Sequence, residues 1–199
     1  MAGQRRYTHY PRALLWLVRG GDATIGGENV SVESFYLSKL PITNLQFEAS
    51  DPLFDRAAHS AGDSDPAVGV GFEQARAYCE WYAGVSRKPM RLPTEIEWEF
   101  ACRAETTSKY FFDDAGAADE YIWHAGNSAA AVPPLDEVRP NPFGLHSMLG
   151  GVWEWTAERV LRGGSYRTAL EEIGCDLRRD YDAQCGAGDV GFRVARSLK

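Results

Sequence analysis

Four cysteines are the side chains of this sequence that could bind a soft metal ion or carry redox chemistry, and they lie at positions 79, 102, 175 and 185. None of them has the Cys-x-x-Cys spacing of a zinc ribbon or a thioredoxin-type motif. Cys79 and Cys102 fall within helical patterns, where cysteine is usually a small buried apolar residue. Cys175 and Cys185 could converge if the loops between them folded back, and two thiolates would suit copper(I). They are therefore weak catalytic candidates.

The four histidines, at positions 9, 59, 124 and 146, are isolated from one another in the sequence. A histidine metal site needs several ligands that converge on one ion, and no spacing here brings two histidines together. His124 beside Trp123 and His146 near Met148 are typical of loop or core positions. The histidines therefore predict no metal site.

Length and composition predict that these side chains belong to one domain. The 199 residues are 44% hydrophobic and 12% aromatic, enough for one substantial core and too few for two ordinary domains, so we expect a single domain over residues 1–199. A formal net charge of −7 argues against general nucleic-acid binding, because phosphate contacts need a basic excess. The apolar run at residues 13–18 is too short for a membrane span or a secretory signal core. We expect a cytoplasmic protein that binds neither membrane nor nucleic acid.

Two segments have helical patterns. Apolar side chains recur at helical spacing before Gly84, which is typical of a helix end, and they predict a helix over residues 73–83. Thr94 and Glu97 have the spacing of a capping box, which predicts a second helix over residues 95–103.

Short strands and long loops make up the rest. Apolar pieces at residues 30–36, 160–162 and 192–195 predict strands, and 20 glycines and 10 prolines are scattered along the chain. The pattern is that of an α+β domain. A domain so rich in loops needs side-chain tethers, and Arg162 and Arg193 are each predicted to fork onto a carboxylate such as Glu97 or Glu154.

A series of motifs runs through the chain. They are FYLSKLPITN at residues 35–44, RLPTEIEWEFACRA at 91–104, NS at 127–128, PNPFGLHSMLGGVWEWT at 140–156, RVLRGGSY at 159–166 and GFRVA at 191–195. In this order they resemble the formylglycine-generating enzyme superfamily, also called the sulfatase-modifying-factor domain. The resemblance covers residues 15–196 and implies a C-type-lectin-like fold with short antiparallel strands, two helices and extensive irregular loops.

The tryptophan motif implies a candidate calcium site. In the superfamily it reads Gly-Asn-Val-Trp-Glu-Trp and its loop carries a calcium ion, whereas Gly151 stands at the asparagine position here. Gly150, Val152 and Glu154 remain as candidate metal ligands, through two carbonyls and a carboxylate. Calcium takes about 6–8 oxygens and water can replace one, so we expect weakened binding. A second calcium loop of the family has no counterpart in residues 128–140.

The resemblance also indicates where catalytic cysteines would lie. Formylglycine generators bind copper(I) through two cysteines that follow the Arg-Gly-Gly-Ser motif, and soft thiolates are the ligands that this ion requires. Here the first position falls on Thr168 and the second near Leu170 or Ile173. Cys175, with Arg178 three residues later, resembles a non-catalytic cysteine of the family. Other branches hold iron with three histidines, largely from an extra helical domain that has no counterpart in this sequence, so neither copper nor iron is expected.

The resemblance thus implies a scaffold that keeps its cleft without its reactive thiols. We predict a non-catalytic module that binds a protein or a small ligand through the segment 162–190. Two alternatives remain: a variable ligand-display protein of a diversity-generating retroelement, and an oxygen-dependent oxidase that uses Cys175 and Cys185. Candidate ligand-binding residues match cleft positions or lie in the segment that varies in display proteins, and they are Trp155, Ser165, Tyr166, Arg167, Arg178, Arg179, Tyr181 and Asp182. Tyrosine and arginine suit binding because they bring large contact areas or forked donors.

Overall fold

The structure is a computed structural model that describes residues 11–129, 131–181 and 186–198. Its strands in chain order are β1 (Leu15–Val18), β2 (Gly21–Ile25), β3 (Glu28–Val32), β4 (Phe35–Ser38), β5 (Met90–Arg91), β6 (Trp153–Trp155), β7 (Val160–Arg162), β8 (Arg178–Asp180), β9 (Val190–Phe192) and β10 (Ala195–Ser197). Its helices are α1 (Asn44–Glu48), α2 (Phe72–Ser86), α3 (Glu95–Arg103) and α4 (Ala118–Tyr121), and a 3₁₀ turn spans Ala115–Ala117. Asp182 and Cys185 lie outside the described residues.

Helix α3 confirms the predicted helix over residues 95–103. The hydroxyl of Thr94 accepts a hydrogen bond from the backbone N–H of Glu97 at 3.1 Å, and the Glu97 carboxylate accepts one from the Thr94 N–H at 2.9 Å. This reciprocal capping box satisfies two N–H groups that the first helical turn leaves free.

Helix α2 is longer than the predicted residues 73–83, because Gly84 lies inside the helix and does not end it. The left-handed turn falls instead on Arg87, with φ of 53°. A glycine inside a helix costs roughly 0.5–1 kcal/mol relative to alanine. Burial of Tyr78 and Tyr82 from the same helix offsets that cost.

The strands form two four-stranded sheets and a separate hairpin of β2 with β3. The first sheet has the order β1-β4-β10-β5 and is antiparallel throughout. The second sheet has the order β8-β7-β6-β9, and its β6–β9 pair is parallel, which is an exception to the expected antiparallel arrangement. β7 confirms the strand predicted at residues 160–162, whereas the piece at 192–195 spans the end of β9 and the start of β10, in different sheets.

The second sheet separates two buried clusters because successive side chains of a strand point to opposite faces. Trp155 and Leu161 lie on one face and pack in a cluster with residues of α2. Glu154 and Arg162 are paired across the same two strands and point the other way, toward α3. None of the described helices is both long and apolar enough to cross a membrane.

Candidate functional site

Glu154, on the inner strand β6 of the second sheet, forms a buried ion pair with Arg193. Glu154 is 1% exposed and Arg193 is 0% exposed. The Arg193 Nε lies 2.9 Å from both carboxylate oxygens of Glu154, and the Trp98 indole N–H donates to one of them at 2.8 Å. The Arg193 Nη1 donates to the carbonyls of Ser38 and Lys39. The predicted tether of Arg193 to Glu154 is therefore confirmed, and it joins the two sheets to α3.

This pairing bears on the predicted calcium site. Burial raises the pKa of Glu154, and the Arg193 guanidinium is the nearby charge that opposes this rise. A cation bound at this carboxylate would lie beside the buried guanidinium, and no group of three or more His, Cys, Asp or Glu side chains among the described residues could hold a metal ion. Arg193 therefore already balances the charge of Glu154, and the calcium site at Gly150, Val152 and Glu154 stays a prediction.

Gly150 and Gly151 shape the turn before this strand, with φ of 72° and 71°. A Cβ on Gly150 would lie 1.8 Å from the carbonyl oxygen of Trp123, so only glycine fits there. A Cβ on Gly151 would meet nothing closer than 3.7 Å. An asparagine, which tolerates the left-handed region, could therefore occupy position 151.

The α3-facing side of the second sheet holds a chain of alternating charges, which we call the ion ladder. It consists of Asp180, Arg178, Glu95, Arg162, Glu99 and Arg103, each within 3.0 Å of the next. Arg162 is buried and pairs with Glu95 and Glu99, not with the predicted Glu97 or Glu154. Residues 95 and 99 are one helical turn apart and share a face of α3, whereas Glu97 pairs with Arg91.

Cys175 is buried in contact with the ion ladder and with helix α3. Its Sγ is 3.4 Å from the Sγ of Cys102 on α3, and both residues are 0% exposed. Its carbonyl accepts a hydrogen bond from Arg162 at 2.8 Å. Burial raises the pKa of Cys102. Cys175 therefore points toward a helix, and its predicted partnership with Cys185, which is outside the described residues, stays a prediction.

The position that matches the first catalytic cysteine of the family carries the hydroxyl of Thr168. This oxygen accepts a hydrogen bond from the backbone N–H of Ser165 at 3.0 Å. The Ser165 hydroxyl in turn donates to the Asp189 carboxylate at 2.6 Å and accepts from the backbone N–H of Arg167 at 3.2 Å. Hydroxyls and one carboxylate are hard oxygen groups, so this cluster is a poor site for copper(I).

The structure divides the predicted ligand-binding residues into two groups. Trp155, Ser165 and Tyr166 are 0% exposed, and Arg167, Arg178 and Arg179 are exposed. Tyr181 is half-buried against the Trp155 ring, and Asp182 lies outside the described residues. The first group therefore supports the surface from below, and the second group can contact a partner directly.

Two exposed arginines lie over buried rings and form what we call the arginine face. The guanidinium carbon of Arg167 is 5.0 Å from the centre of the Tyr166 ring, and that of Arg179 is 4.3 Å from the centre of the Trp153 ring. The two sites are connected through Asp189, whose side chain accepts from Ser165 and whose carbonyl accepts from the Trp153 N–H at 2.9 Å. No described carboxylate forms a salt bridge with Arg167 or Arg179.

Asp189 and His59 are members of this region that the sequence did not reveal. The His59 Nε2 lies 2.7 Å from the carbonyl of Gly188, and its ring is 6.4 Å from the Tyr166 ring. No described residue meets full hydrogen-bond geometry at the buried Tyr166 hydroxyl; burial raises the pKa of Tyr166, and the nearby Arg167 guanidinium opposes that rise. His59 is isolated in the sequence and 129 residues from its partner, so no local pattern could have found it.

A cavity of about 610 Å³ lies elsewhere, between the β2–β3 hairpin and the end of α3. Asp22, Phe100, Arg103 and Glu105 are among its lining residues, and none of the candidate ligand-binding residues lines it. Glu105, one of these lining residues, has a left-handed backbone with φ of 75°.

The chain is similar in sequence to formylglycine-generating enzymes and to an inactive relative of them. A 161-residue match to the inactive C-alpha-formylglycine-generating enzyme 2 of Bos taurus is 33% identical and covers 65% of this chain and 50% of that protein. The formylglycine-generating enzyme of Mus musculus is 29% identical over 168 residues, which cover 65% of this chain and 44% of that protein. The chain therefore spans about half the length of these relatives.

A solved structure, Treponema denticola variable protein 1, superposes with a TM-score of 0.83 at 19% identity and covers 92% of this chain and 94% of that one. This likeness shows the C-type-lectin-like fold that the motifs implied. The model of the sulfatase-modifying factor enzyme 1-like domain matches residues 9–198, and the chain therefore belongs to that family, as a divergent member in which Thr168 stands at the first catalytic cysteine position.

Proposed function

We propose that this domain is a non-catalytic binding module whose ligand, a protein or a small molecule, contacts the arginine face. The observation that carries the proposal is the placement of Arg167 and Arg179. Both are exposed, both lie over buried aromatic rings, and no described carboxylate pairs with either. Aromatic and arginine side chains dominate binding energy at many interfaces, and a guanidinium that is already ordered loses less entropy on binding.

The reactive positions support a binding role over an oxidase role. Thr168 supplies a hydroxyl where a thiolate would be needed, and Cys175 is buried against Cys102. One relative of this chain is itself described as an inactive formylglycine-generating enzyme. The oxidase alternative with Cys175 and Cys185 predicts that a peptide with the Cys-x-Pro-x-Arg pattern loses the mass expected for conversion of its thiol to an aldehyde. We expect that peptide to remain unmodified in mass spectrometry.

A variable ligand-display protein is a special case of the same proposal. Arg167, Arg178, Arg179 and Tyr181 lie between the Arg-Gly-Gly-Ser-Tyr and Gly-Phe-Arg motifs, where display proteins vary. A structural neighbour carries the name variable protein, and its low identity supports only the shared fold. A reverse transcriptase gene with a template repeat beside the coding sequence would identify this case.

Selection from a random-peptide display library tests the binding proposal. Peptides are selected on the full chain and then measured against Arg167→Ala/Arg179→Ala. The matched control is Arg76→Ala/Arg139→Ala, which removes two other exposed arginines. We expect selected peptides to lose affinity by about tenfold or more on the first variant and to keep it on the control. Equal binding to both variants would contradict a function at the arginine face.

A further inference from the structure

We infer that the partner of the arginine face is an acidic protein segment that presents two separated carboxylates, an inference that rests on the proposed function. Charges near the arginine face are not balanced locally. Of the five arginines between residues 159 and 179, three form salt bridges, and they are Arg159, Arg162 and Arg178. Arg167 and Arg179 are the other two, and no described carboxylate pairs with them. The face therefore has positive charge available within a chain whose formal net charge is −7.

Both guanidinium groups of the arginine face lie over aromatic rings. Each is held over a ring that is at most 1% exposed, Tyr166 for Arg167 and Trp153 for Arg179. A guanidinium over a ring is attracted by the negative face of the π-system and keeps N–H donors in its own plane for other partners. A planar fork of donors matches a carboxylate, which can accept two parallel hydrogen bonds. The two guanidinium groups are thus preorganised for binding.

The carboxylate of Asp189 belongs to the same region as the two ring sites. Asp189 connects the two ring sites through Ser165 and Trp153, and its carboxylate is half-buried there. A ligand carboxylate placed beside Asp189 would meet a like charge, whereas one at each arginine would meet an opposite charge. Two separated acidic side chains therefore fit better than one central anion.

The number of available arginines favours a protein segment over a nucleic acid. A row of phosphates needs a basic excess, whereas this chain has a net charge of −7 and the arginine face has two arginines without a described carboxylate partner. A protein segment can carry two carboxylates beside apolar groups. Tyr181, half-buried against Trp155, offers an aromatic surface in the same segment of the chain. An acidic peptide with an aromatic or aliphatic residue between its carboxylates matches these groups.

A matched peptide series tests the inference. The probes are fluorescein-labelled peptides with the sequence Gly-Glu-Gly-Tyr-Gly-Glu-Gly, the analogue with both glutamates replaced by glutamine, and the analogue with a single glutamate. Binding to the full chain is measured by fluorescence anisotropy. We expect the two-glutamate peptide to bind about tenfold or more tightly than the glutamine peptide, with the one-glutamate peptide between them, and to weaken between about 50 and about 300 mM NaCl.

Variants connect this preference to the two arginines. Arg167→Gln and Arg179→Gln should each reduce affinity for the two-glutamate peptide by about fivefold and leave the glutamine peptide almost unchanged. Arg76→Gln, an exposed arginine of α2 that already pairs with Glu73 and Glu80, is the control and should have no effect. Melting temperatures of all three variants should match the parent chain, which separates lost contacts from lost folding.

The outcomes distinguish this inference from the proposed function. Equal affinity for the glutamate and glutamine peptides, or an equal loss on Arg76→Gln, would overturn the acidic partner. If the display selection yields peptides that depend on the arginine face but lack acidic residues, the binding module stands and the acidic partner is wrong. If it yields no peptide that depends on the face, the proposed function fails and the inference fails with it.

Discussion

The two faces of the second sheet use arginine in opposite ways. On the α3-facing side, Arg162 and Arg178 take part in the ion ladder and bond to carboxylates. On the other side, Arg179 lies over the Trp153 ring with no described carboxylate as partner. The register shows the alternation directly, because Arg162 faces Arg178 across β7 and β8 while the neighbouring Leu161 faces Arg179. Adjacent residues of one strand therefore serve different purposes.

Pairing with carboxylates, more than exposure, distinguishes Arg178 from the arginines of the arginine face. Arg178 has 49% of its side chain exposed and yet bonds to Glu95 and Asp180. A partner that approached Arg178 would have to displace those carboxylates. A partner could approach Arg179 without displacing any described carboxylate. Substitutions of the paired arginines should consequently lower stability, whereas substitutions of Arg167 and Arg179 should lower binding.

Removal of Arg193 should have the largest effect. Arg193→Ala leaves the buried Glu154 carboxylate without its counter-charge, and breaking a buried pair in this way costs about 3–5 kcal/mol in the free energy of unfolding. Urea denaturation measures the loss. The double variant Glu154→Gln/Arg193→Met removes both charges and should recover part of it. A near-parental midpoint for Arg193→Ala would show that the pair is not a structural tether.

The ion ladder should show a gradient from its buried to its exposed members. Arg162→Ala should lower the free energy of unfolding by about 3 kcal/mol, because Arg162 is buried and its removal leaves the buried Glu99 carboxylate with Arg103 as its one remaining described arginine partner. Arg178→Ala should lower it by less than about 1 kcal/mol, because its pair with Glu95 lies at the surface. Equal losses for the two variants, measured by the same urea titration, would contradict the gradient.

Acid should destabilise the fold modestly through His146. Burial, together with Lys39 and Arg193, lowers the pKa of His146, and its Nδ1 lies 3.0 Å from the Val138 carbonyl. Because the pKa of His146 is lowered in the folded state, the stability that neutral His146 allows is fully present above the unfolded pKa. It is lost as the pH falls through the folded pKa. We expect a decrease in Tm of about 1–3 °C from this residue between about pH 7.5 and about pH 5. His146→Gln should flatten that part of the profile, and an unchanged profile would contradict this role.

Calcium should have the smallest effect. Arg193 already neutralises Glu154, so addition of a chelator should shift the Tm by less than about 1 °C. Gly151→Asn restores the family side chain at a position with room for it and tests whether the loop can regain an ion. A clear rise in Tm with calcium for the parent chain would show that the carbonyls of Gly150 and Val152 hold an ion despite the ion pair.

Local signals made part of this structure predictable. The capping box of Thr94 and Glu97 placed α3 at its correct residues, because both partners lie within one helical turn. A similar box of Thr43 and Gln46 starts α1, but a helix of five residues is too short to show the apolar repeat that identifies α2. The tether between Arg193 and Glu154 could be predicted because planar guanidinium groups match carboxylates, and the motifs limited the choice of partners.

Other features depend on contacts between distant segments. Cys102 and Cys175 are 73 residues apart, and the burial that brings them together leaves no local pattern. Tyr166 has the residue type of a contact residue, yet the packing of the second sheet buries it and leaves Arg167 as the exposed group. The sequence could therefore indicate which segment forms the candidate surface but not which of its side chains reach it.

The position of Arg193 also sets an order of events in folding. Its guanidinium bonds to the carbonyls of Ser38 and Lys39, which are 155 and 154 residues earlier in the chain, and to Glu154, which is 39 residues earlier. Closing such long loops is entropically unfavourable and slows folding when distant contacts dominate. During synthesis the Glu154 carboxylate has no counter-charge until residue 193 has left the ribosome, so the two sheets can lock together only after nearly all the described residues are available.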